Sequence, residues 1–297
     1  MEIEAFGPLL RFAAFAARPD EQLGLAEGAL LIAEMAYPHL PPRRYLRRLD
    51  ALTLLVREEL GMAPGDRLPP ASLERRATAE RVLQALALVI AEREGFSGNT
   101  EDYYDPRNSF LNEVLDRGAG IPITLSSIYL EVARLLGTPL AGVNTPGHFL
   151  MKWPLSLDEG GDLFLDAFHG GRIMEAADCR HFVRTLLGEA YPGWNPRWTE
   201  PLDTRAILMR ILNNLKMIYL QKGETVQALE VVDRLLLLRP DLAEELRDRG
   251  LLRLALGEPL LAAADIAAYA EREPSAPELG RLRRKFSELR EVHAKLN

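Results

Sequence analysis

The chain has 297 residues, 47% hydrophobic and 27% charged, enough to bury two modest cores or one core with an appendage. A formal charge of −7 argues against a nucleic-acid partner, which would draw on clustered Lys and Arg, and Arg43, Arg44, Arg47 and Arg48 are interleaved with Tyr45, Leu46 and Leu49 like the solvated face of a helix. No apolar run reaches the roughly 18 residues of a membrane span. Glu2 and Glu4 stand where a secretory signal would be basic, and a single cysteine makes no intrachain disulfide, so a cytoplasmic location is expected. The five histidines stand singly, none beside a His or Cys at ligand spacing, so neither a metal nor a cofactor is expected.

The first ninety-odd residues read as mostly helical. Leu23, Leu30, Ile32 and Met35 give a helix-compatible pattern over 21–36 that stops at Tyr37-Pro38. Leu46, Leu49, Leu52, Leu55 and Val56 predict an amphipathic helix over 43–60, and Val82, Leu83, Leu86, Leu88 and Ile90 predict another over 72–93. The run from Phe96 to Phe110 is rich in turn formers and reads as a loop into a short helix at 108–116. Pro122 suits a first helical position, Leu125, Ile128, Tyr129, Val132, Leu135 and Leu136 form a broad apolar face, and Gly137 ends what should be a buried helix. Three short runs at 141–145, 147–153 and 162–168 read as strands joined by turns. The fold class is therefore α+β: a helical N-terminal part at 1–98, then a helix and antiparallel sheet at 99–200.

Prolines and tryptophans from Pro192 to Pro201 mark a boundary. Beyond it Gly223 and Gly257, Ala228 and Ala262, and Pro240 and Pro274 each lie 34 residues apart, the tetratricopeptide period. Residues 201–297 are expected to form two all-α helix hairpins and a capping helix at about 278–296. Two repeats are few to stand alone, so Ile207, Leu208, Ile211, Leu212 and Leu215 are expected to dock the tail on the preceding domain.

A papain-type site needs a thiol at a helix N-terminus, a histidine on a neighbouring strand and a carboxylate or amide to orient it. His148 and Asp166, eighteen residues apart, suit the last two roles. The helix start offers Gly120, Ile121 and Pro122 but no cysteine. Ser126, one turn and roughly 6 Å further along the axis, is the alternative nucleophile. Cys179, after the candidate N-cap Asp178, reads as a small buried apolar residue. Asn108 and His169 are further candidates for lining the cleft, and Tyr103 and Tyr104 for its rim or for packing.

The runs 28–38, 103–115, 120–137, 146–153 and 165–172 together resemble the bacterial SirB family of transglutaminase-like proteins with tetratricopeptide tails, over nearly the whole chain. The resemblance implies a papain-type helix-and-sheet core and carries the family's His and Asp onto His148 and Asp166. Fifteen residues before Gly137, its cysteine falls on Pro122, which has no nucleophile. It implies a pseudoenzyme: a degenerate cleft of His148, Asp166, Asn108 and His169 that takes a peptide or small ligand, with a tail that takes a protein partner. The alternative is a hydrolase or acyltransferase using His148 and Asp166 with Ser126 or an activated water.

Overall fold

The computed structural model describes residues 7–282 and residue 284. Helices α1 (Pro8–Ala16), α2 (Leu25–Ala33), α3 (Pro42–Glu59) and α4 (Arg76–Leu86) come first. The two-residue strand β1 (Ser97–Gly98) precedes α5 (Leu111–Arg117), the equally short β2 (Ala119–Gly120) and α6 (Pro122–Leu136). Strands β3 (Ala141–Val143), β4 (Leu150–Trp153), β5 (Leu163–Asp166) and β6 (Arg172–Glu175) follow, then α7 (Ala176–Leu187), α8 (Thr204–Lys222), α9 (Thr225–Leu238), α10 (Ala243–Ala255) and α11 (Pro259–Arg272). The chain is α+β, as its periodicities predict.

Contacts divide the described residues into two compact units, residues 19–211 and residues 7–18 with those from 212 onward. The first holds the four-stranded antiparallel sheet, in the order β3-β4-β5-β6, and the parallel pair β1-β2. Its central element is α6, whose residues from Pro122 to Ala133 are all buried and which packs on α3 and on β4. Pro122 opens the helix because its missing N–H is one that a first turn leaves unpaired, and Gly137 closes it in the left-handed conformation at φ 80°. Trp153 is wholly buried with its indole N–H satisfied by the Leu73 carbonyl at 3.0 Å. The start of α8 belongs to this unit: Leu202 N–H donates to the Gly142 carbonyl at 2.8 Å, and Ile207 lies over Gly142.

Several details depart from the periodicity. The third apolar pattern does not run as one α-helix: α4 widens into π-helical turns over Ala87–Arg93. The short helix expected at 108–116 is a 3₁₀ turn at Pro106–Ser109 followed by α5, broken where Phe110 takes an extended conformation and buries its ring. A fourth strand, β6, pairs along the whole of β5. Helix α7 begins three residues before Cys179, with Glu175 as its N-cap and the Asp178 carboxylate at the third position accepting from the Glu175 N–H at 3.2 Å, so Asp178 is not the cap.

In the second unit, Gly223 and Gly257 sit at φ 71° and 80° in the turns between α8 and α9 and between α10 and α11. Ala228 and Ala262 are both fully buried one turn further on, so the 34-residue offset marks two equivalent helix hairpins. Close approach of α10 to α11 rests on Gly250, where an added Cβ would stand 2.9 Å from the Ile266 side chain. Lys216 is buried and bridges Glu245 and Asp248 at 2.6 and 2.5 Å. The expectation that all of 1–98 belongs to the sheet-bearing unit is corrected for α1, which packs on α9. Phe12 and Phe15 are fully buried, and the Arg234 guanidinium lies 5.8 Å from the Phe12 ring. The expected capping helix at 278–296 lies mostly outside the described residues.

Candidate functional site

The sequence Thr145-Pro146-Gly147-His148 forms a tight turn, with Gly147 at φ 72° and the His148 N–H donating to the Thr145 carbonyl at 3.2 Å. Proline second and a positive-φ glycine third are what a type II turn demands. Thr145 Oγ1 returns a hydrogen bond to the His148 carbonyl at 3.1 Å, so the histidine is fixed where the chain turns into β4. On the neighbouring strand, Asp166 ends β5 and organises the loop after it. Its Oδ1 accepts from the Phe168 N–H at 3.0 Å, and its own carbonyl accepts from the Gly171 N–H at 2.9 Å. Gly170 and Gly171, at φ 70° and 73°, bring the chain back into β6.

These two turns deliver two imidazoles to one carboxylate. His148 Nε2 lies 2.9 Å from Asp166 Oδ1, and His169 Nδ1 lies 2.7 Å from Oδ2. Asp166 is 1% exposed, His148 7% and the His169 side chain 52%, so the cluster runs from the interior to the surface. Burial pushes the Asp166 carboxyl up, but the hydrogen bonds and charge of His148, then of His169, outweigh it and hold the carboxyl below its ordinary range. Phe182 of α7 lies edge-on to His148 at 5.1 Å, and Phe168 at 6.1 Å. Phe168 is seated on Gly98, where a Cβ would fall 2.6 Å from the ring. The buried Tyr129 hydroxyl has no hydrogen-bond partner among the described residues, and burial, then the Asp166 charge, raises its pKa strongly.

His148 and Asp166 thus face each other as the eighteen-residue spacing suggested, and His169 joins them. The other candidates do not enter this hydrogen-bonded cluster. Asn108 is saturated: its Oδ1 accepts from Asn99 at 3.0 Å and Arg117 at 2.8 Å, and its amide donates to the Asp102 and Tyr103 carbonyls at 2.7 and 3.3 Å. Those bonds shape the 99–108 loop. Ser126 is fully buried and its Oγ bonds neither His148 nor any other described group. Cys179 packs with Val143, Leu150, Phe164 and Met174, and burial pushes its thiol up to about 11, the opposite of an activated nucleophile. Tyr103 lies 6.1 Å from Phe168 and 5.3 Å from Tyr104, both tyrosines at the surface. Although no histidine has a His or Cys at ligand spacing in the sequence, side-chain donor atoms of His148, Asp166 and His169 all lie within 4.8 Å of one another. Folding closes the 21-residue gap between the histidines, which a search for short spacings passes over. Phe168, Phe182 and Tyr129 carried no sequence signal beyond ordinary core composition.

A buried helix packed on an antiparallel sheet, with His148 and Asp166 paired at adjacent strands, is the arrangement of a transglutaminase-like domain, here followed by helix-hairpin repeats. The transglutaminase-like superfamily matches residues 43–213 and the tetratricopeptide repeat residues 215–286. The chain is 39% identical over 261 residues to a UPF0162 protein of Xylella fastidiosa, covering 86% of each, and 32% identical to one of Pseudomonas aeruginosa, covering 74% of each. This chain belongs to the transglutaminase-like superfamily and, within it, to the UPF0162 proteins. It is also 28% identical to human F-box only protein 21 over 71% of this chain and 35% of that protein. No solved structure matches it.

Proposed function

We propose that this is a non-catalytic binding protein, a transglutaminase-like pseudoenzyme of the SirB type whose cleft takes a peptide or small ligand and whose repeats take a protein partner. The observation that carries the reading is Pro122 at the first position of α6. A papain-type site calls for a nucleophile at the helix start, but a prolyl ring has no atom to attack with, and the protein's one thiol lies in the core beside Met174 and Leu150. Repeat hairpins supply extended surfaces for protein partners. No described helix is long and apolar enough to cross a membrane, and the single cysteine suits the cytoplasm, where we place the protein.

The competing reading, acyl transfer or hydrolysis through Ser126 or a water activated by His148, is disfavoured for Ser126 by a hydroxyl that makes no hydrogen bond to the base it would need. An amidase and amine-transfer assay on the full chain, run beside a fluorescence binding screen of peptides, tests the choice. Peptide binding that His148→Ala abolishes, without turnover in the parent protein, supports the binding role. Turnover that disappears in His148→Ala or Ser126→Ala overturns it.

A further inference from the structure

The geometry points to a divalent transition-metal site formed by His148, Asp166 and His169. This inference deepens the binding role by naming a ligand class for the same cleft, and it rests on that role only in treating the cleft as a place where something binds. Two imidazole nitrogens and a carboxylate oxygen already converge, with all three donor atoms within 4.8 Å of one another. A tetrahedral ion with bonds of about 2.0–2.2 Å sets its donors about 3.3 Å apart. The two N···O separations are made to different oxygens of the carboxylate, 2.9 Å from His148 Nε2 to Oδ1 and 2.7 Å from His169 Nδ1 to Oδ2, and the contact of whichever oxygen ligates needs to open by about half an ångström. His169, half exposed, is the side chain with room to adjust.

The donor set selects the ion. Magnesium and calcium take oxygen ligands, whereas two imidazoles with one carboxylate suit zinc and its first-row neighbours. The surroundings supply what such a site requires. Asp166 is anchored by its own loop, and His148 is fixed by the Thr145 turn and flanked by Phe168 and Phe182. His169 is half exposed, so an ion has access from solvent and keeps its remaining positions on that side. In the hydrogen-bonded arrangement the bonds to Asp166 are made by N–H on His148 Nε2 and His169 Nδ1. Coordination through those nitrogens requires each of them to give up that proton, so uptake of the ion competes with the hydrogen-bonded arrangement.

The test uses the full chain after treatment with a chelator. Zinc chloride is titrated by calorimetry, and cobalt(II) is followed by its visible absorption. One ion per chain is expected, with intense cobalt bands of low-coordinate nitrogen and oxygen ligation. His169→Ala and Asp166→Asn should each weaken zinc at least tenfold, while His181→Ala, removing an exposed histidine of α7, leaves it unchanged. Circular dichroism of the metal-free variants shows whether they are folded, and His169→Ala, altered at a half-exposed position, keeps the test interpretable if Asp166→Asn is not. Absence of uptake, or uptake that neither variant weakens, overturns the site. A chain that binds peptide but no zinc overturns this inference and leaves the binding role standing. Zinc uptake accompanied by turnover supports the site and reverses the non-catalytic reading.

Discussion

His148 presents Nε2 to Asp166 at 2.9 Å, so the carboxylate occupies one side of the imidazole and Nδ1 is left on the other. The same carboxylate binds His169 and its own loop, which makes it the group on which the local structure depends. Asp166→Asn replaces an acceptor of charge-assisted hydrogen bonds by an amide that turns a donor toward one imidazole. The expected cost is roughly 2–4 kcal/mol, measured by urea unfolding near neutral pH.

A pH dependence accompanies that substitution. Because the folded carboxyl titrates below the unfolded one, its ionised form favours the native state. This contribution is whole above the unfolded carboxylate pKa of about 3.9 and is lost as the pH falls through the lower folded value. Unfolding free energy measured from pH 6 downward should therefore fall more steeply in the parent protein than in Asp166→Asn. Parallel curves would show that Asp166 is not preferentially ionised in the fold.

Gly171 and Gly170 form a matched pair for backbone strain. Both have positive φ, but an added Cβ at Gly171 would lie 2.6 Å from the Ala87 Cβ, whereas none of the atoms around Gly170 comes within 4 Å. Gly170→Ala should cost about 1–2 kcal/mol, the price of the left-handed conformation alone. Gly171→Ala should cost roughly 2–5 kcal/mol, since overpacking adds to it. Equal thermal shifts for the two would rule out close packing of this loop against the π-helical turns.

Cys179 should be inert in the folded protein. With its thiol wholly buried and pushed up to about 11, a maleimide at pH 8 should label it only after denaturant is added. Cys179→Ser, which buries a hydroxyl among apolar side chains, should cost on the order of 1–3 kcal/mol and leave ligand binding unchanged. Rapid labelling of the native chain would contradict the packing described.

In the repeat unit, Lys216 neutralises Glu245 and Asp248 away from solvent. Lys216→Met should destabilise this unit by about 3 kcal/mol, since it leaves Glu245 buried without its cation. Lys216→Met combined with Glu245→Met should recover most of that loss. A double variant no more stable than the single one would show that the pair is not coupled.

Much of the fold was legible because it rests on local rules. The broad apolar face after Pro122 and the stop at Gly137 mark α6, and the paired glycines and alanines mark both repeat hairpins. What escaped depends on contacts distant in sequence. Helix α1 is apolar without declaring its partner, and only the fold shows Phe12 beneath Arg234. Strand β6 is too short and polar at Arg172 and Glu175 to show an alternation. At the site, His148 and Asp166 were found from their place on successive strands. The arrival of His169 on the same carboxylate depends on the turn that Asp166 itself creates. The part Asn108 plays in ordering its loop was not legible, because a buried amide looks the same in sequence whether it faces a ligand or its own neighbours.

Asp166 accepts from the Phe168 amide with the same oxygen that meets His148. Occupancy of the cleft and order in the 167–171 loop are therefore thermodynamically linked: a ligand that prefers one arrangement of the carboxylate changes the opening free energy of the loop by its differential affinity. Amide hydrogen exchange at Phe168 and Gly171 becomes a gauge of binding at a site those backbone groups need not touch. That gives a readout independent of any substrate.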